Sequence, residues 1–146
     1  MVIIVASAIF ALLSILVSVL VAAGLLFAPA LVQLLAPGFS EPTAALTVSL
    51  VRILFPGTGV LVLSAWCLGI LNSHKRFFLS YAAPVIWNAC IIAALLIFRT
   101  SEASQLERLV TIVAWATALG GVLQFAVQVP AVLKVLGSFR PVPSTS

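Results

Sequence analysis

An all-α integral membrane protein with four transmembrane helices is the fold class this sequence predicts, on three observations. Of the 146 residues, 64% are hydrophobic and 7% charged, and the mean hydropathy is +1.34. A water-soluble domain keeps about a quarter of its residues charged, so these side chains cannot coat a surface facing water. The apolar residues also fall into four runs, each reaching the roughly 20 residues that cross a bilayer at 1.5 Å per residue. Finally, no run shows the ~10-residue apolar/polar alternation of a membrane β-barrel.

The first span covers residues 2–28 and is bounded by Pro29, then by the breakers Pro37, Gly38 and Pro42. It has no basic leader and is too long for a signal-peptide core, and a proline directly after Ala28 disfavours cleavage. It is therefore a true span. The second covers 44–71 and is interrupted by Arg52, Pro56 and a few small residues; the third covers 77–98 and the fourth 109–133. Residues 1–136 thus form a four-helix transmembrane segment, and 137–146, ending in Pro141–Ser146, read as a polar tail. No internal repeat is evident.

The net charge is +4 and the isoelectric point about 9.8. The basic residues sit between apolar runs and no basic stripe interleaved with aromatics exists, so nucleic acid is not an expected partner. Their placement orients the chain. His74, Lys75, Arg76, Lys134 and Arg140 fall on one side; Glu41, Arg99, Glu102, Glu107 and Arg108 fall on the other. Counting Lys and Arg, the richer side faces the cytoplasm. Both termini of this multi-pass protein then lie there.

Catalytic chemistry has little to work with. There is no Asp, the three Glu lie between spans, and His74 is the single histidine. Triads and paired carboxylates need several such groups in one pocket. Cys67 and Cys90 lie inside apolar runs with no Cys-x-x-Cys spacing, so no four-ligand metal site can be assembled. A Walker A loop is absent. The sequence calls for no catalytic residue, no metal and no cofactor, and predicts a protein that is not an enzyme.

What remains is polar and helix-breaking residues at membrane depth, where they are costly unless they meet protein or a water-filled cavity. Arg52, about two turns into the second span, either snorkels to the interface or touches an anionic lipid headgroup. Asn88, four residues after Pro84, either bonds locally or across helices or lines a substrate pathway. Gln124 and Gln128, at i and i+4, share one helix face and must meet another helix or a cavity. Pro56 with Gly57 and Gly59, Pro84, and the Gly120–Gly121 pair mark close packing or bending points. Ser14, Ser18 and Ala22 form a small-residue stripe of the packing kind. Lys75 and Arg76, followed by Phe77 and Phe78, are a topology anchor or a contact for anionic headgroups, pyrophosphate lipids included.

Five strings then occur in a telling order: Leu35–Phe39 (LAPGF), Arg52–Pro56 (RILFP), Gly69–Ser73 (GILNS) leading to Arg76 and Phe77, Ala83–Pro84 with Asn88, and Gly120–Gln124 (GGVLQ) with Gln128 and Pro130. Together they resemble the MurJ/MviN murein-biosynthesis flippases, over roughly residues 15–134. That family belongs to the multidrug/oligosaccharidyl-lipid/polysaccharide (MOP) exporter superfamily, whose members carry about fourteen helices in two repeated lobes around a central cavity. The resemblance implies part of the N-terminal lobe, with the four spans as its third to sixth helices. It also implies transport of lipid II, the undecaprenyl-pyrophosphate-linked peptidoglycan precursor, for cell-wall synthesis and cell shape. Asn88, Gln124 and Gln128 would line the cavity, and Arg52, Lys75 and Arg76 would contact headgroups or fix topology. Pro56, Pro84, Gly120 and Gly121 would permit bending. The expected partners are lipid II, membrane lipids and the transporter's remaining helices. The family's other helices have no counterpart here, so the chain is expected to be a fragment. The competing readings are another polysaccharide or oligosaccharide-lipid flippase of the superfamily, or a small non-transporting membrane assembly protein.

Overall fold

The computed structural model describes residues 2–137. Within them the chain is all-α: α1 (Val2–Leu35), α2 (Glu41–Ser73), α3 (Phe77–Ile97) and α4 (Leu106–Gly137), with a 3-10 turn at Ala103–Gln105 leading into α4. All four helices are long and apolar enough to cross a membrane. The 21 residues of α3 extend about 31 Å, close to the ~30 Å of bilayer hydrocarbon. The other three run 32–34 residues, near 50 Å, and so tilt or extend into the headgroup region. Of the expected polar tail, Gly137 closes α4; residues 138–146, with Arg140, lie outside the described residues.

The apolar run expected to close at Ala28 stays helical to Leu35, passing through Pro29. A proline inside a helix leaves the carbonyl four residues earlier without its amide donor. That carbonyl belongs to Leu25, and Arg52 Nε of α2 donates to it at 3.3 Å. The guanidinium thus supplies the donor that Pro29 lacks. Because α2 begins at Glu41, Arg52 lies about three turns inside it rather than two.

Local chemistry sets the turns. Ser40 caps α2 in extended conformation, with Pro42 in the first turn and Glu41 at the positive end of the helix dipole. The α2–α3 turn is a Schellman closure: Arg76 N–H donates to Leu71 O at 2.9 Å and Lys75 N–H to Asn72 O at 3.1 Å. The geometry requires a left-handed residue, and Lys75 takes it with φ of 59°.

The helices form an open row in the order α1–α2–α4–α3. α2 packs on α1 and on α4, α4 packs on α3, and α2 touches α3 only slightly. A closed bundle would need a further seam between the flanking helices, and none of comparable extent forms. Small residues set each seam. A Cβ on Gly57 would fall 2.9 Å from Ala118 Cα of α4, one on Gly59 2.8 Å from Val17 and Val21 of α1, and one on Gly120 3.0 Å from Cys90 and Trp87 of α3. The row is held at one end by a cluster of Ala6, Cys67, Leu71, Val132, Val135 and Leu136.

Candidate functional site

The α2–α4 seam carries buried polarity. Along α2 the facing positions are Gly57, Ser64 and Leu71; along α4 they are Gly121, Gln124, Gln128 and Val132, all buried. Seven-residue spacing on α2 brings Gly57, Ser64 and Leu71 back to the same face, one every two turns. Ser64 is fully buried, as is Gln128, and Gln124 is 5% exposed. Gln124 Nε2 donates to Ser64 Oγ at 2.9 Å, and Ser64 Oγ in turn donates to Gln128 Oε1. The serine hydroxyl, one donor and two acceptor lone pairs, therefore bridges two amides from the facing helix. Among the described residues, Gln124 Oε1 and Gln128 Nε2 have no partner. One is an acceptor and the other a donor, so the seam keeps an unused hydrogen-bonding pair.

The sequence placed Gln124 and Gln128 on one face but missed Ser64. Its signal is the Gly57–Ser64 spacing, two small residues two turns apart opposite the glutamines. Trp87 was missed too: its indole Nε1–H donates to Thr117 O at 3.0 Å and ties α3 to α4, as a part-buried indole N–H requires.

The other sequence-predicted residues lie apart from this seam. Asn88 is on an exposed face of α3, and its Nδ2 donates to Pro84 O at 2.9 Å. That carbonyl is not the one Pro84 frees, which is Ser80's. Arg52 is exposed and, with Ser49, Pro56, Gly57, Thr111 and Trp115, lines a groove of about 620 Å³ between α2 and α4. Lys75 and Arg76 line a separate cavity at the far end of α2. Helices α2, α3 and α4 run unbroken through Pro56, Pro84 and Gly120–Gly121 respectively. Among the described residues, no three of His, Cys, Asp and Glu gather where they could hold a metal ion.

Comparison with known proteins places this row of helices. The chain is 41% identical over 90 residues to the lipid II flippase MurJ of Burkholderia cenocepacia, covering 62% of this chain and 17% of that protein. It is 35% identical over 118 residues to the probable lipid II flippase MurJ of Rickettsia prowazekii, covering 80% and 22%. The probable lipid II flippase MurJ of Buchnera aphidicola from Acyrthosiphon pisum is 31% identical over 111 residues, covering 75% and 21%. The chain thus spans about a fifth of the length of these relatives. No solved structure matches it. Residues 4–146 match the family model described as lipid II flippase MurJ, and with that coverage the chain belongs to the MurJ lipid II flippase family.

Proposed function

We propose that these four helices form one wall of the central cavity of a lipid II flippase in the bacterial inner membrane, a transporter and not an enzyme. The observation that carries this is the family match over residues 4–146. A pyrophosphate sugar headgroup cannot enter hydrocarbon unaided, because charge at the bilayer centre costs several kcal/mol or more. A flippase offers a hydrated path and alternates its opening.

The open row suits that role, since one face of it can look onto a cavity while the other meets lipid. In this reading Asn88, on the exposed face of α3, is a polar wall residue. Gln124 and Gln128 join it when α2 and α4 part, offering the amide atoms that have no partner while the seam is closed. Pro56, Pro84, Gly120 and Gly121 are the points where the helices bend to let this happen. The remaining helices of the transporter cover the rest of the row's apolar surface. The turn with Lys75 and Arg76 faces the cytoplasm, as do both termini.

The test is the double replacement Gln124→Leu/Gln128→Leu within a complete transporter carrying this segment. Lipid II translocation in proteoliposomes is expected to fall at least tenfold, the scale of a ~1.4 kcal/mol change, with normal protein levels. Unchanged transport at normal levels removes the glutamines from the wall.

A further inference from the structure

The groove between α2 and α4 holds about 620 Å³, and the one charged side chain along it is Arg52, with no carboxylate in its walls. Gly57, which lets α2 approach Ala118, has no side chain of its own to fill the space. Ser49 and Thr111 stand with Arg52 toward the end of the helices that carries Glu41, and Trp115, Leu119 and Val122 continue the groove inward. These last three are exposed. From Thr111 to Val122 the wall of α4 extends about 17 Å, close to half of the ~30 Å hydrocarbon. The groove therefore has the depth of one leaflet, polar at one end and apolar along the rest.

Arg52 gives the groove its chemistry. The contacts of Gly57 with Ala118 and of Ser64 with Gln124 follow the same order along both helices, so α2 and α4 are parallel. Arg52 then lies level with about Val113, ~10 Å inside the start of α4. An arginine at that depth ordinarily stretches to the interface. Here Nε is tied at 3.3 Å to Leu25 O of α1, which holds the guanidinium in place. The side chain is nevertheless exposed, and its terminal amino groups bond to no described residue. A cation held inside hydrocarbon is costly unless an anion or water meets it. Phosphate is the anion a bilayer itself supplies, and a guanidinium matches its oxygens in a two-pronged bond. Trp115 adds a second donor: unlike Trp87, its indole N–H has no acceptor among the described residues, and an indole in lipid keeps its ring apolar and its N–H available to an ester carbonyl.

We propose that this groove opens to lipid and holds one membrane phospholipid, its phosphodiester on the terminal amino groups of Arg52 and one acyl chain running past Trp115 and Leu119 to Val122. The Nε bond to Leu25 O fixes the cation, and the rest of the guanidinium anchors the lipid. The site is an equilibrium property of the groove and does not rest on the transport reading.

The complete protein carrying this segment is reconstituted without any lipid-linked precursor, in vesicles doped with phosphatidylglycerol bearing an acyl-chain diazirine or with a diacylglycerol bearing the same chain. After illumination the labelled residues are read by mass spectrometry. The phospholipid is expected to label residues 115–122 about fivefold more than the diacylglycerol, the margin one basic residue gives to an anionic lipid. Arg52→Gln should abolish that margin with helicity unchanged by circular dichroism, whereas Arg52→Lys, which keeps the charge and gives up the Nε bond, should retain most of it. Equal labelling by the two probes in the unaltered protein overturns the site, and so does a margin that survives Arg52→Gln. An equal loss in Arg52→Lys would mean that the Nε bond shapes the groove and the charge binds nothing, which overturns it too. Label on the exposed Leu12 and Leu16 of α1 with none on residues 115–122 would mean that another helix covers the groove. Loss of the margin on adding inorganic phosphate at matched ionic strength would make the ligand a free anion, and either result overturns the proposal.

Discussion

Ser64 shows how much one hydroxyl can decide inside a membrane. Its partners, Gln124 and Gln128, already leave one amide atom each without a bond. Replacing Ser64 by Ala removes the bridge and strands the other two amide atoms between α2 and α4. Hydrogen bonds between membrane helices average only about 0.6 kcal/mol, because the unfolded chain finds partners too. A buried polar group left unpaired costs more, about 1–3 kcal/mol, and here the second effect governs. Ser64→Ala is therefore expected to destabilise the chain by ~1–3 kcal/mol, read as a lower midpoint in a dodecyl-sulfate titration from mild detergent. A change below about 0.5 kcal/mol would mean that the two glutamines bond to each other once the serine is gone. Arg52 makes the complementary point. Its charge fits either snorkelling to the interface or a headgroup contact, and its Nε also donates to the backbone carbonyl that Pro29 leaves open.

At the scale of the helix, glycine has two opposite meanings in α2. Gly57 sits where any Cβ would meet the backbone of α4 at Ala118, 2.9 Å away. Backbone cannot swing aside, so Gly57→Ala must push α2 from α4, at about 1–3 kcal/mol for the overpacking. Gly69 lies in the same helix with nothing within 4 Å of its would-be Cβ. Gly69→Ala should stabilise by about 0.5–1 kcal/mol, the ordinary gain of alanine over glycine in a helix. The same dodecyl-sulfate titration checks both, and equal shifts would contradict the seam geometry. Gly121 is intermediate: its added Cβ would make ordinary contact with Leu61 at 3.4 Å. Sequence alone marks Gly57 and Gly121 alike, as possible bends or packing points, because the distinction lies in what the neighbouring helix presents.

The whole molecule is a row and not a closed bundle, and its surface follows from that. Large apolar side chains stay exposed along its length, among them Leu26 at 75%, Leu34 at 77% and Phe78 at 87%. In water such a surface would drive association; in a bilayer it faces lipid or further helices. Charge divides the row into two poles, and the expected orientation follows from the basic one. With Cys67 and Cys90 replaced by Ala, a cysteine at Glu102 should react with a membrane-impermeant maleimide in intact spheroplasts. A cysteine at His74 should react only after permeabilisation. The reverse pattern would invert the topology and put the Arg52 groove in the inner leaflet.

Hydropathy is a property of the local chain, and the lipid solvent leaves little choice of fold for a segment that must satisfy its own backbone. The amino-acid sequence by itself therefore determined the all-α class, four helices able to cross a membrane, the two charged poles and, through five short strings, the family. It did not show that α1 stays helical past Pro29 to Leu35, where a residue of another helix donates to the carbonyl that Pro29 leaves open. The tertiary structure alone decided which faces meet: that Ser64 joins Gln124 and Gln128, that Trp87 reaches Thr117, that Asn88 turns back on its own helix, and that Arg52 and Trp115 line one groove. Residues 60 or more positions apart in the chain have no local signal that pairs them. The pairing arises when helices of fixed pitch settle at the separation their smallest residues allow, and the row then brings those side chains within reach.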